Sequence, residues 1–319
     1  MEDDKDIRDQ VLSTEQMIEG NSEWYERTKD FWIKSPATVS GMLGALPHVA
    51  PPDEKDSLNY LKGMYRHRAT PMTGTIALDI GAGIGRVTEK VLLKCFTKVD
   101  IHDQNQNFLN KAWGRLSSYV KSGRLRNKFA SPLQDFTPPE KEYDLIWIQW
   151  VIGYLPSMDL IRCLNRMKAA LKPGKGVIVI KENCARDEEI IDNDDNYIIR
   201  SVENWTKIFN KSELHVVSAR RDESLPKSIM PVYFFLLSPN DDSVDDDESE
   251  IPMKEMKKSK AKMQELKMRK EKSQTKKERK RKYDDDEKCE DEIEEDEEDE
   301  ENEEEEEEEE VKVGQKKDK

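Results

Sequence analysis

From about Thr75 to Pro239 the chain alternates short apolar runs with longer stretches whose apolar residues recur every three or four positions. The runs TIALDI, KVDIHD, YDLIWIQWVIGYL and GVIVIKEN predict buried strands, and LRNKFASPLQDF a short strand that ends in a loop. GRVTEKVLLKCF, QNFLNKAWGRLSSYV, MDLIRCLNRMKAAL and VENWTKIFNKS predict helices, with KPGKG stopping the third. LHVVSARR and MPVYFFLLS predict a closing pair of strands. Strands alternating with helices, and apolar throughout at the centre, predict an α/β fold. Its sheet is mostly parallel and covered on both faces.

Upstream of this pattern, Trp24, Tyr25, Phe31 and Trp32 have helical spacing, and Ser35-Pro36 ends that run. The spacing alone leaves two readings open: these aromatics pack the helix onto the main domain, or they face a substrate. DSLNYLKGMYRH predicts a second helix. Together they form an N-terminal helical extension.

Composition divides the chain. It has 319 residues, 38% charged, with a formal net charge of −15. These averages join unlike parts. Residues 1–20 are polar and predict a flexible N-terminus, and 21–239 carry the material for one folded core. Residues 240–319 hold a basic block, 254–282, and an acidic block, 284–310, and predict a disordered tail. Such a tail keeps the chain in solution, its two halves attracting one another. Within it, KKERKRK (Lys276 to Lys282) has the form of a nuclear-targeting run. Chromatin or ribosomal contacts are a further reading of the tail, with the adjacent acid competing for its cations. The four cysteines, Cys95, Cys163, Cys184 and Cys289, form no CxxC and no Cys/His set with zinc spacing, so neither disulfides nor a metal is expected. MEDDKDIRDQVLS lacks the apolar stretch of a signal peptide, and no apolar run approaches the ~18 residues of a membrane span. The expected location is nucleus and cytoplasm.

The chemistry is signalled by ALDIGAGIGRVTEKVL. Gly81, Gly83 and Gly85 stand between a predicted strand and a predicted helix, and the next strand ends in Asp103. Glycine suits a turn where the backbone approaches a ligand. A carboxylate at Asp103 suits ribose hydroxyls. The dinucleotide fingerprint is GxGxxG, with pyrophosphate at the helix N-terminus. Here the spacing is GxGxG, the third-glycine position of that fingerprint is Arg86, and Asp79 precedes the turn. A carboxylate there repels phosphate and welcomes an ammonium, while Arg86 can pair with a carboxylate. These features favour S-adenosylmethionine over a nicotinamide dinucleotide. Leu133 and Gln134 after the third strand, and Gln149 and Trp150 at the end of the fourth, fall where ligands bind in such sheets.

DIGAGIGR, LQDFTP, IWIQWVIGYL, GVIVIKEN and PATVSGMLG together resemble the alpha-N-terminal protein methyltransferases, over roughly Trp24 to Ser238. The resemblance implies a Rossmann-like class I methyltransferase fold with a seven-stranded, mostly parallel sheet. It implies transfer of methyl from S-adenosylmethionine to the free α-amino group of proteins beginning Xaa-Pro-Lys. It implies a cofactor site at Gly81, Arg86, Asp103, Leu133, Gln134 and Gln149. The implied substrate channel is Trp32, Leu43, Gly44, Val49, Trp150 and Tyr233, with Trp150 stacking on the substrate proline. Asn183 would hold the amino end, and Asp192 and Asp195 would stand at the amine and the substrate lysine. Two positions depart from the family pattern. Tyr154 stands where a family His shares the proton removal, and IDNDD replaces LDDVD, which introduces Asn193 and Asp194.

An α-amine has an ordinary pKa of ~7.7–8.0, so much of it is neutral near pH 7. Aim matters more than a strong base. One Asp is therefore expected to take the proton, directly or through water, with Tyr154 orienting. Two other functions compete: a small-molecule or nucleic-acid methyltransferase on the same fold, and a non-catalytic binder of N-termini. IQWV in place of [ND]PP[YF] argues against base methylation, and the intact glycine turn argues against a binder.

Overall fold

A computed structural model of the chain describes residues 22–66 and 75–239. The expected flexible N-terminus and charged tail lie outside the described residues. Five parallel strands carry the fold: β1 (Ile76–Ile80), β2 (Lys98–Asp103), β3 (Leu125–Ala130), β4 (Leu145–Gln149) and β5 (Val177–Asn183). A short hairpin follows, β6 (Ile190–Asp192) and β7 (Tyr197–Ile199). β8 (Leu214–Arg221) and β9 (Val232–Pro239) complete the main sheet antiparallel to each other, with β9 against β5. The seven-stranded order is β3-β2-β1-β4-β5-β9-β8. The direction of winding reverses between β1 and β4, which opens a crevice at the carboxyl ends of those strands.

Successive residues of a strand point to opposite faces, and here both are apolar. Leu78, Ile80, Ile146, Ile148, Ile178 and Ile180 enter one core. Ala77, Leu145, Trp147, Val177 and Val179 enter the other. Among the described residues are eight α-helices: α1 (Ser22–Lys34), α2 (Val39–Met42), α3 (Ala50–Arg66), α4 (Leu93–Cys95), α5 (Gln106–Arg115), α6 (Ser117–Lys121), α7 (Ser157–Ala170) and α8 (Val202–Lys211). α7 and α8 cover the first core with Leu160, Leu164, Met167, Trp205 and Phe209. α3, α4 and α5 cover the second with Leu61, Leu93, Leu109 and Ala112.

Three segments differ from the sequence pattern. The helix after the glycine turn winds as a π-helix over Thr88–Leu92 before the short α4. QNFLNKAWGRLSSYV is two helices, because Leu116 leaves helical geometry (φ −98°, ψ 23°) and buries its side chain in the second core. The stretch around DNDD, which carries no strand pattern, is the turn of the β6–β7 hairpin.

Candidate active site

The glycine turn runs from the end of β1 into the following helix. Gly81 (φ +69°) and Gly83 (φ +53°) both occupy the left-handed region, which a side chain enters only at a cost. The structure adds a second reason why these positions are glycine. A Cβ on Gly81 would lie 2.8 Å from the Val151 Cβ, and one on Gly83 would lie 2.7 Å from the Met42 Sδ. Their missing side chains make room for protein as well as permitting the turn. Three N–H groups of the turn are spent internally. Gly83 N donates to Asp103 Oδ2 at 2.9 Å. Ala82 N donates to the His102 carbonyl and Gly85 N to the Ala82 carbonyl, each at 2.8 Å.

Two carboxylates flank this turn. Asp103 ends β2 and also accepts from Asn105 N at 2.7 Å, while Asn105 itself caps α5. Burial raises the Asp103 carboxyl to about 6, against the pull of its backbone donors. Asp79 is fully desolvated, which raises it to about 7 although Thr88 Oγ1 donates to it at 2.5 Å. His102 stacks on Phe136 at 4.1 Å and donates from Nε2 to the Ser131 carbonyl at 2.9 Å. Burial lowers its imidazole to about 4, so the ring is neutral. Asp79, Gly81, Arg86, Asp103, Leu133, Gln134 and Gln149 all line one cleft.

Arg86 and Gln149 reach that cleft from a buried polar network. Asp53 of α3 accepts from Arg86 Nη1 at 2.6 Å on one oxygen and from Gln149 Nε2 at 2.9 Å on the other. Lys181 of β5 also donates to Asp53, and pairs with Asp222 at 2.7 Å. Asp53, Lys181 and Asp222 were not singled out by the sequence reading. The only available signal was a lysine inside the apolar run GVIVIKEN, since a buried charge demands a partner.

Beyond the network the cleft is lined by Trp32, Trp150 and Tyr154. Trp150 has φ +53°, an outlier for a bulky residue. Such strain costs about 1–3 kcal/mol and needs surroundings that enforce it. Its backbone N–H donates to the Lys181 carbonyl at 3.1 Å, and the Arg86 guanidinium lies 5.9 Å from its ring. Its ring packs beside Val49, Leu225 and Val232.

Tyr154 is held on three sides. Its ring meets Trp32 edge-on at 6.1 Å and Tyr197 at 4.8 Å, and its hydroxyl donates to Asp195 Oδ2 at 2.8 Å. Burial first, and then the Asp195 charge, push the phenol far above its ordinary range. Tyr197 donates in turn to Glu182, which burial raises to about 7. The second Asp195 oxygen, Oδ1, is buried without a hydrogen-bond partner. Burial and the neighbouring Asp192 and Asp194 raise the Asp195 carboxyl.

The remaining predicted positions lie outside the cleft lining. Asp192 is exposed at the end of β6 and accepts from the Asp194 N–H at 3.0 Å. Asn183 ends β5, where its carbonyl accepts from Trp205 Nε1 at 3.3 Å. Tyr233 pairs across the sheet with Glu182. Leu43 closes α2, Gly44 follows it with φ +55°, and Val49 sits in the one-turn helix before α3.

The donor set decides what fits. Three N–H groups of the turn are already bonded within the protein, and Asp79 and Asp103 face the same cleft. A phosphate would face both carboxylates with those three donors already taken. A ligand with ribose hydroxyls and an amino-acid tail matches the two carboxylates and Arg86. Fold and cleft thus define a class I, S-adenosylmethionine-dependent methyltransferase.

Known proteins narrow the class. The sequence profile described as AdoMet dependent proline di-methyltransferase matches residues 20–238. The human N-terminal Xaa-Pro-Lys N-methyltransferase 1 is 39% identical over 224 residues, covering 70% of this chain and 99% of the relative. The Xenopus laevis protein 1-B of the same name is 38% identical over 226 residues, covering 71% and 100%. A solved SAM-dependent methyltransferase of Leishmania major superposes with TM-score 0.60 at 33% identity, over 67% of this chain and 83% of that one. The chain belongs to the AdoMet-dependent proline di-methyltransferase family.

Proposed function

We propose that this protein methylates the free α-amino group of proteins that begin Xaa-Pro-Lys. The observation that carries the reading is the Tyr154–Asp195 pair, with its unpartnered carboxylate oxygen, next to a cleft built for S-adenosylmethionine. The names of the relatives point the same way. Gly81, Arg86, Asp103, Leu133, Gln134 and Gln149 would hold the cofactor, which supplies an electrophilic methyl group when bound. Trp150 offers its flat face to the substrate proline, and Trp32, Leu43, Gly44, Val49 and Tyr233 shape the approach of the peptide. Asn183 steadies the amino end. Asp195 accepts an N–H of the amine at Oδ1 and takes its proton, which leaves the lone pair free. Tyr154 fixes the other Asp195 oxygen, and its phenol stays protonated, so it offers no base. Asp192, exposed beside this site, suits the substrate lysine through its charge.

The basic run Lys276 to Lys282 supports a location in the nucleus as well as the cytoplasm. The two charged blocks of 254–310 suit chromatin or ribosomal contacts, which deletion of 240–319 would abolish.

Mass spectrometry tests the reaction. A peptide beginning Ser-Pro-Lys-Arg is incubated with the protein and S-adenosylmethionine, beside the same peptide acetylated at its α-amine. The expected result is a gain in multiples of one methyl on the free peptide alone. An equal gain on both would move the acceptor to a side chain.

A further inference from the structure

The cofactor-facing groups Arg86 and Gln149 sit on different elements, one after the glycine turn and one at the end of β4. What orients both is a single carboxylate from a third element outside the parallel strands. Asp53 is wholly buried and is not part of the cleft lining. One of its oxygens holds Arg86 at 2.6 Å, and the other holds Gln149 at 2.9 Å together with Lys181. The Gln149 amide has no freedom to turn, because its carbonyl oxygen accepts from Trp147 Nε1 at 3.1 Å. Lys181 is anchored from the far side by Asp222 and by Ser57 Oγ at 3.1 Å. Asp53 and Asp222 balance the two buried cations, and the partly exposed Glu54 adds a longer contact to Arg86 Nη1 at 3.5 Å. A buried cation needs a close counter-charge, and Asp53, wholly buried at 2.6 Å, is a nearer one than the partly exposed Glu54 at 3.5 Å, so Arg86 leans on Asp53 for its place.

We propose that Asp53 is a positioning residue for the cofactor: it presents Arg86 and Gln149 in the geometry that S-adenosylmethionine meets, without touching it. This rests on the cleft being the S-adenosylmethionine site. The role makes two demands. Loss of the carboxylate should weaken cofactor binding more than turnover at saturation. Loss of the far anchor, Lys181, should disturb the fold more than the cofactor.

The test is calorimetric titration of S-adenosylmethionine into wild type, Asp53→Asn and Lys181→Met, with kcat and KM measured on the peptide. Asp53→Asn is expected to raise the Kd about tenfold or more, the worth of a lost charge-assisted bond. Its kcat at saturating cofactor and its peptide KM should stay within about threefold of wild type. Lys181→Met should lower Tm and leave the Kd within about threefold. The double variant Asp53→Asn/Arg86→Gln removes both charges of the pair, leaves Lys181 with Asp222, and serves as well if the single variant does not fold. Compared with Arg86→Gln alone, it should show a markedly smaller loss than about tenfold, because part of the Asp53 effect is gone once Arg86 is absent. An unchanged Kd in Asp53→Asn, an equal Kd loss in Lys181→Met, or an undiminished Asp53 effect in the Arg86→Gln background would each overturn the assignment. A wild-type protein that bound no S-adenosylmethionine would overturn the reading of the cleft, and this one with it.

Discussion

Gly81 and Tyr154 line the same cleft but reach it by different routes. Gly81 stands on a turn whose shape follows from backbone chemistry: a strand end, left-handed glycine and a helix start. Tyr154 stands in a pocket of side chains from distant segments. Trp32 comes from α1 and Asp195 from the β6–β7 turn, while Tyr197 follows on β7. The first arrangement is local in sequence and tolerates no change of residue type. The second is assembled by tertiary packing, and its chemistry can vary while the scaffold stays. That difference explains why a Tyr can occupy this position with an intact cofactor turn beside it.

The strongest way to break the contrast is at the backbone end. Gly81→Val places a side chain at φ +69°, worth about 1–2 kcal/mol of strain, and drives it against Val151 2.8 Å away, worth about 1–3 more. Tm should fall by roughly 10 °C and cofactor binding should vanish in calorimetry. Retained cofactor affinity would mean that the turn is softer than its geometry. Asp195→Asn should lower kcat about 100-fold, the scale of a lost proton acceptor. Tyr154→Phe should lower it only about tenfold, since one charge-assisted bond goes and the acceptor stays. Steady-state kinetics with the free peptide checks both. Equal losses would give Tyr154 a direct part in the proton transfer.

The smallest effect sharpens the contrast through pH. Burial raises Glu182 from 4.5 to about 7. Between those values the unfolded chain has released its proton and the folded chain still holds one. Stability contributed by this group therefore falls as pH rises through that window and is flat above it. Glu182→Gln removes the slope. The Tm difference, variant minus wild type, should become more positive from about pH 5 to about pH 7.5, as read by thermal melts. A constant difference would mean that Glu182 ionises near its ordinary value.

What could be read from the sequence follows the same division. The order of strands and helices was legible because both sheet faces are apolar and the helices keep their period. The cofactor turn was legible because positive φ leaves a glycine signature. The β6–β7 hairpin was not, since its strands are three residues each and its turn, Asn193 to Asn196, reads as an exposed acidic loop. Asp53 was equally hidden. An aspartate at the start of a helix looks like an ordinary N-terminal charge until the fold brings Arg86, Gln149 and Lys181 to it. The roles of Asp192 and Asp195 came only from resemblance, and the structure separates the two: one is exposed, the other bonded to Tyr154.

The central claim is that the cofactor end and the proton-accepting end work as separate units. Its most direct test is calorimetric titration of S-adenosylmethionine into Asp195→Asn. A Kd within about twofold of wild type, in a variant whose turnover has collapsed, is the predicted result. A Kd weakened in step with the loss of turnover would contradict the account and make the two ends one site.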